Sequence, residues 1–153
     1  MDKAPPNSEI VPPLVPELVV SNLDRSLAFW LDALGFRIRF ERPEHRFGYL
    51  MRGSAHIMLV ERRSPDHPRG ETWTGGPLEP PFGRGINFQI SVDDVDVTIA
   101  ALRGRNWPLF REPRDAWYRK DDVEVGQREL MFQDPDGYLI RFAQPLGQRP
   151  FVS

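Results

Sequence analysis

Apolar residues recur along the chain with two spacings, one typical of strands and one typical of amphipathic helices. An apolar, β-branched run predicts a strand over residues 14–20, and a helical spacing from Leu23 to Leu34 predicts a helix that ends at Gly35. Three further strands are predicted over 36–41, 47–52 and 55–61. The first half of the chain therefore follows the order strand, helix and three strands.

The second half of the chain repeats this order. A strand is predicted over 86–92, a helix from Val95 to Arg103, and strands over 107–111, 128–133 and 138–143. When the two halves are aligned on their first strand and helix, Val20 falls on Val92 and Leu27 on Ile99, which indicates an internal repeat. The segment 112–126 lacks a clear period and is predicted to be a long loop, a position where binding residues are common.

Proline marks the boundaries of these halves. Of the 16 prolines, five lie in the first 16 residues and five between Pro65 and Pro81, where glycine is also frequent. We therefore divide the chain within one structural domain. The parts are a proline-rich arm at 1–13, a first module at 14–62, a linker at 63–84, a second module at 85–145 and a C-terminal tail at 146–153.

Composition and charge exclude several classes of protein. The chain has no cysteine, which excludes disulfides, cysteine metal sites and thiol nucleophiles. Twenty basic and 22 acidic residues give a net charge of −2, so no nucleic-acid partner is expected. No apolar run is long enough to span a membrane, and the N-terminus lacks the pattern of a secretory signal. We expect a cytoplasmic protein with no membrane partner.

Two motifs accompany the doubled order. They lie at 15–36, opening with Val-Pro-Glu-Leu-Val-Val, and at 133–142, with Asp-Pro-Asp-Gly between two strands. Together with the doubled order, they resemble the vicinal oxygen chelate superfamily, which includes glyoxalase I, extradiol dioxygenases and bleomycin resistance proteins. The first motif looks most like the bleomycin resistance branch. The resemblance implies an α+β fold of two tandem βαβββ modules that form a curled mixed sheet, with a concave cup and with helices on the outer face. It also implies a homodimer.

The resemblance further places four metal-ligand positions, one on each of four strands. In this chain they are Val15, Met58, Asn87 and Arg141. Val has no donor atom, Met is a soft thioether, Asn is a weak ligand and Arg is a permanent cation. We therefore predict no metal and no cofactor. A displaced metal site built from Glu17, His56 and Gln89 is left open.

Strand alternation assigns a set of side chains to the cup, where the resemblance places a ligand. The predicted cup residues are Glu17, His56, Met58, Asn87, Gln89 and Arg141. Three aromatic residues in the predicted linker and loop, Trp73, Trp117 and Tyr118, are candidates to cover a planar ligand; anchoring their loops or filling a subunit interface is the alternative. The acidic run at Asp121, Asp122 and Glu124 suits a cationic ligand, or is simply solvated.

Two functions follow as hypotheses, and a third stays open. The first is a metal-free protein that binds a small molecule and sequesters an antibiotic of the bleomycin type, with no catalysis. The second is a lyase, isomerase or dioxygenase-like enzyme with a displaced metal site, in which His56 would act as general base with help from Glu17. The third is a regulator whose aromatic residues contact another protein. The unsuitable ligand positions favour the first.

Overall fold

The computed structural model describes residues 11–153, so most of the proline-rich arm predicted at 1–13 lies outside the described residues. The chain divides into two compact units between Phe82 and Gly83. The predicted linker at 63–84 therefore belongs almost entirely to the first unit. No helix among the described residues is long and apolar enough to cross a membrane.

The first unit is a four-stranded mixed sheet. Its elements are β1 (Glu17–Val20), α1 (Leu23–Ala28), β2 (Arg37–Arg42), β3 (Phe47–Arg52) and β4 (Ala55–Glu61), with a short 3-10 turn at Pro43–His45. Strand β1 is parallel to β4, and the other neighbouring strands are antiparallel, in the order β1-β4-β3-β2.

Helix α1 begins where its sequence predicts. The side chain of Asn22 accepts a hydrogen bond from the backbone N–H of Arg25 at 3.0 Å, which caps the first turn. The segment predicted as one helix to Leu34 is α-helical only to Ala28 and continues as a π-helical turn over Phe29–Ala33. Trp30 in this turn is fully buried, in agreement with its position on the apolar stripe.

The second unit has the same arrangement as the first. Its elements are β5 (Asn87–Ser91), α2 (Val95–Gly104), β6 (Leu109–Lys120), β7 (Val123–Gln133) and β8 (Leu139–Pro150). The strands are ordered β5-β8-β7-β6, with β5 parallel to β8. The α+β prediction of two βαβββ modules is confirmed, whereas the cup shared by both modules stays a prediction.

Strand lengths in the second unit correct the sequence analysis. The segment 112–126 is not a loop, because β6 runs to Lys120 and a tight turn with Asp121 at a φ of 57° leads into β7. Residues 146–150 belong to β8 and not to a tail beyond 145. The pairing of β6 with β7 shifts register between Leu109 and Arg111 and again before Arg114. These irregularities, around Pro113, remove the alternation by which a strand is recognised in sequence.

Each sheet has one face towards its helix and an opposite face, called the inner face below. In the first unit the helix side buries Leu50, Ile57 and Leu59, while Val19, Phe47, Tyr49 and Val60 form an apolar cluster on the inner face. In the second unit Leu130, Phe132, Ile140 and Phe142 are fully buried. The predicted alternation agrees with this pattern. In β4 the even-numbered residues lie on the inner face and the odd-numbered residues face the helix, whereas in β8 the odd-numbered residues from Leu139 to Ala143 lie on the inner face.

Candidate functional site

A buried carboxylate organises the inner face of the second unit. The side chain of Glu129, on β7, is 0% exposed. It lies between β6 and β8, where its Cα pairs with Arg114 on one side and Ala143 on the other. A buried carboxylate requires compensating donors, because transferring a charge out of water is costly.

Five donors from three strands surround this carboxylate. Its Oε2 accepts hydrogen bonds from Nη2 of Arg111 at 2.6 Å and from Nε of Arg114 at 3.4 Å. Its Oε1 accepts from Nε2 of Gln127 at 3.0 Å and from the hydroxyl of Tyr118, and lies 3.5 Å from Nη1 of Arg141. One carboxylate thus balances three guanidinium groups, which leaves a surplus of positive charge on this face.

The protonation state of Glu129 follows from two opposing effects. Burial raises the pKa of the Glu129 carboxyl, but hydrogen bonds from Tyr118, Gln127 and Arg114 lower it, as does the charge of Arg111. The combined result is a pKa below the ordinary value for Glu. Glu129 is therefore ionised at neutral pH and holds its donors in place.

A cavity of about 410 Å³ opens beside this group of residues. Its volume lies in the range of small-molecule sites. The lining residues are Gln89, Tyr118, Arg119, Lys120, Val125, Gln127 and Arg141. The structure therefore brings together three residues that the sequence analysis had selected: Gln89, Tyr118 and Arg141. Three cations and no carboxylate line this cavity among the described residues.

Two further predicted residues meet in the first unit. Glu17 and Trp73 line a smaller cavity of about 160 Å³, next to Phe47 and Val60 of the inner face. Trp73 is 90% exposed, so its ring forms an open wall of this cavity. The full lining is Glu17, Arg42, His45, Phe47, Val60, Arg63, Arg69, Thr72 and Trp73.

His56 and Met58 lie on the inner face of the first unit but line neither of these cavities. Nδ1 of His56 is 2.7 Å from the hydroxyl of Tyr49, in a buried hydrogen bond. Burial lowers the pKa of His56, and the charge of Arg39 lowers it further, so the imidazole is neutral at pH 7. Met58 packs against the apolar cluster. The structure gives both residues packing and hydrogen-bonding roles.

Trp117 and Tyr118 do not form a loop, which corrects the prediction. Both belong to β6, where alternation places their side chains on opposite faces. Tyr118 reaches Glu129, whereas the ring of Trp117 packs over Gly126 and lies 4.2 Å from the guanidinium of Arg149. Only Tyr118 lines the cavity of the second unit.

The remaining predicted features lie away from the cavities. Asn87 begins β5, is exposed and lines neither cavity described above. In the acidic run, Asp121 and Asp122 occupy the β6–β7 turn, and Glu124 pairs with Arg149 at 2.7 Å on the same face as Trp117. The acidic run therefore contributes no carboxylate to the cavity.

The four positions at which the resemblance places metal ligands do not fit a metal. Val15 and Met58 pack against the apolar cluster of the first unit. Arg141 directs a cation towards Glu129 and the cavity. Within residues 11–153, moreover, no group of three or more His, Asp or Glu side chains is placed to hold a metal ion. No chemistry of this site is therefore assigned to a metal.

Glu129 and its partners Arg111, Arg114 and Gln127 were not selected from the sequence. The sequence nevertheless contains information about Glu129, because the Asp134–Gly137 turn sets the register in which β7 pairs with β8. Gln133 pairs with Leu139 and Met131 with Arg141, so Glu129 shares their inner face. For Arg111 and Arg114 the register shifts in β6 removed any comparable signal.

Comparison with known proteins identifies one family. The model of the Glyoxalase/Bleomycin resistance protein/Dioxygenase superfamily matches residues 13–142. The chain is 29% identical over 136 residues to a protein named lactoylglutathione lyase from Haemophilus influenzae, and the match covers 83% of this chain and 87% of that protein.

Two solved structures show the same fold at lower identity. TioX from Micromonospora sp. ML1 has a TM-score of 0.63 at 20% identity, covering 87% of this chain and 98% of its own. The fosfomycin resistance protein FosX from Mesorhizobium loti has a TM-score of 0.57 at 13% identity, covering 89% of this chain and 93% of its own. Because the family model spans most of the sequence and both units have its βαβββ order, the chain belongs to the glyoxalase/bleomycin resistance protein/dioxygenase superfamily.

Proposed function

We propose that this protein binds a small anionic molecule without a metal ion, in the cavity of the second unit, and sequesters it without catalysis. The observation that carries the proposal is the placement of Arg141. At a position where metal-dependent relatives would hold a ligand, this chain places a permanent cation that is paired with Glu129 and lines the cavity. A guanidinium there repels a metal ion and attracts an anion.

The charge of the lining defines the class of ligand. Lys120 and Arg141 supply positive charge, while the guanidinium of Arg119 lies 4.2 Å from the ring centroid of Phe151. Gln89 and Gln127 supply amide groups that can both donate and accept hydrogen bonds. The amide nitrogen of Gln127 lies 3.3 Å from the Oε1 of Gln89, so these two side chains are already oriented. Such a lining suits a carboxylate or phosphate group attached to a small organic body.

This lining does not favour a cationic antibiotic of the bleomycin type, which the sequence analysis had put forward. The acidic residues expected to attract such a ligand lie in the β6–β7 turn and on the opposite face. Closeness to the bleomycin resistance branch and assembly as a homodimer stay predictions.

An experiment on the metal-free protein tests the proposal. The protein, purified without a polyhistidine tag and treated with chelator, is mixed with a metabolite extract and examined by native mass spectrometry. We expect an anionic small molecule to stay bound to the wild type and to be lost from Arg141→Met and Lys120→Gln. Trp117→Phe changes an aromatic residue on the opposite face and should retain the ligand. Titration with bleomycin is expected to produce no heat of binding at micromolar concentrations.

A second function is favoured by the relative named lactoylglutathione lyase. Under this alternative the protein holds a metal at a displaced site and turns over lactoylglutathione. Stoichiometric zinc, iron, nickel or manganese in the untagged protein, lost in His56→Ala together with such turnover, would replace the binding proposal. Retention of an anion by metal-free protein with no turnover after metal addition would exclude the alternative.

A further inference from the structure

The smaller cavity lies entirely in the first unit, and none of its lining residues lines the cavity of the second unit. We propose that it is a separate binding site for a small oxyanion, such as the phosphate or carboxylate group of a metabolite. The inference is independent of the function proposed for the second unit.

Three arginines with no carboxylate partner converge on this cavity. The guanidinium of Arg42 lies over the rings of Phe40 and Phe47, at 5.4 and 4.9 Å from their centroids. Nε of Arg63 donates to the carbonyl of Gly70 at 3.0 Å, which leaves its terminal nitrogens available. Across the described residues, no Asp or Glu lies within salt-bridge distance of Arg42, Arg63 or Arg69. Guanidinium groups held in this way are strong donors to oxyanions.

Thr72 supplies an independent observation. Its residue is 4% exposed, it lines the cavity, and its Oγ1 has no hydrogen-bond partner among the described residues. A buried hydroxyl without a partner carries a free-energy cost. An oxyanion oxygen in the cavity would accept the Thr72 hydroxyl hydrogen and remove this cost.

The carboxylate of Glu17 provides a specific test of the proposal. It is the one carboxylate among the residues lining this cavity, and it opposes three guanidinium groups. The lining is positive overall, so an anion is attracted, but Glu17 weakens that attraction. Removing its charge should therefore strengthen anion binding, which is the opposite of what loss of a ligating residue would do. Trp73 provides an exposed aromatic wall for the remainder of the ligand.

Titration calorimetry of the whole chain at low ionic strength tests the site, with inorganic phosphate and acetate as separate probes. We expect saturable binding of at least one probe. Arg69→Gln and Thr72→Val should each weaken it about tenfold, as expected for loss of a hydrogen bond to a charged group. Glu17→Gln should tighten it. The preferred probe identifies a phosphate-like or a carboxylate-like ligand, and either result supports the proposal.

Two controls keep the result specific. Arg37→Gln removes an exposed arginine of β2 that does not line the cavity and should bind the probe with wild-type affinity. Because the second unit is itself proposed to bind an anion through Arg141, each variant is also titrated in the Arg141→Met background, where the remaining saturable binding reports the first unit. Should Thr72→Val fail to fold, Thr72→Ser keeps the hydroxyl and should bind like the wild type, while Arg69→Gln still tests the site. Absence of saturable binding for both probes overturns the proposal. Equal affinities in wild type, Arg69→Gln and Glu17→Gln overturn it as well.

Discussion

Trp117 and Tyr118 are consecutive residues of β6 whose side chains leave the sheet in opposite directions, one to Gly126 and Arg149 and the other to Glu129. The pair offers a direct test of which face binds ligand. Tyr118→Phe removes the hydroxyl from the cavity and is expected to weaken ligand retention. Trp117→Phe should leave retention unchanged. Native mass spectrometry measures ligand retention in both variants. Loss of ligand from Trp117→Phe alone would place binding on the face of Trp117 and contradict the proposal.

Glu129→Gln tests the group of donors around the buried carboxylate. The amide keeps the shape of the side chain but leaves three arginines without a countercharge, so the fold is expected to lose about 2 kcal/mol. This value lies below the roughly 3–5 kcal/mol expected for a fully buried pair, because Arg111 and Arg114 are 36% and 54% exposed. Chemical denaturation measures the change.

The matched control for Glu129→Gln is Glu124→Gln, which removes the same charge from the surface pair with Arg149. A change of no more than about 1 kcal/mol is expected there. Equal effects of the two substitutions would show that the buried network adds nothing beyond a surface ion pair.

His56 gives the first unit a dependence of stability on pH. Its pKa is lowered in the folded protein, so below the unfolded value of 6.5 the unfolded chain binds a proton that the folded chain does not. Stability contributed by neutral His56 is therefore fully present above pH 6.5 and declines as pH falls towards the folded pKa. We expect the melting temperature to fall between pH 7.5 and pH 5.5.

His56→Gln removes this titrating group and should flatten that part of the profile. A wild-type melting temperature that rises on acidification through this interval would contradict the lowered pKa.

Gly126→Ala tests the close packing of Trp117 on β7. A Cβ at Gly126 would lie 2.7 Å from the Trp117 ring, so the ring would have to move. The expected loss is about 1–3 kcal/mol, typical of overpacking. In the background of Trp117→Ala the same substitution should cost much less, and the double-mutant cycle measures this difference. Gly75→Ala, which meets no atom within 4 Å, is the control.

The sequence predicts the strands and the faces of their side chains only where apolar and polar residues alternate regularly. For β4 and β8, regular alternation placed His56, Met58 and Arg141 on the inner face, and the structure agrees. The register shifts of β6 conceal a twelve-residue strand, and with it the opposite orientations of Trp117 and Tyr118.

The candidate site was predicted only in part, for a related reason. Strand alternation tells which way a side chain points, and this sufficed for Gln89 and Arg141. The partner of Arg141 is a residue of the neighbouring strand, so finding Glu129 required the hairpin register as well as the alternation. The charge surplus depends on Arg111 and Arg114, whose placement follows from tertiary pairing alone.

The two parallel strand pairs have matching registers, with Glu17 beside Met58 in one unit and Gln89 beside Arg141 in the other. Met58 and Arg141 thus occupy equivalent positions of a duplicated backbone, yet one is a packed thioether and the other a paired cation. Duplication reproduces a geometric framework without reproducing its chemistry. Each half of such a protein can therefore specialise separately, so a substitution that abolishes binding in one unit need not alter the other.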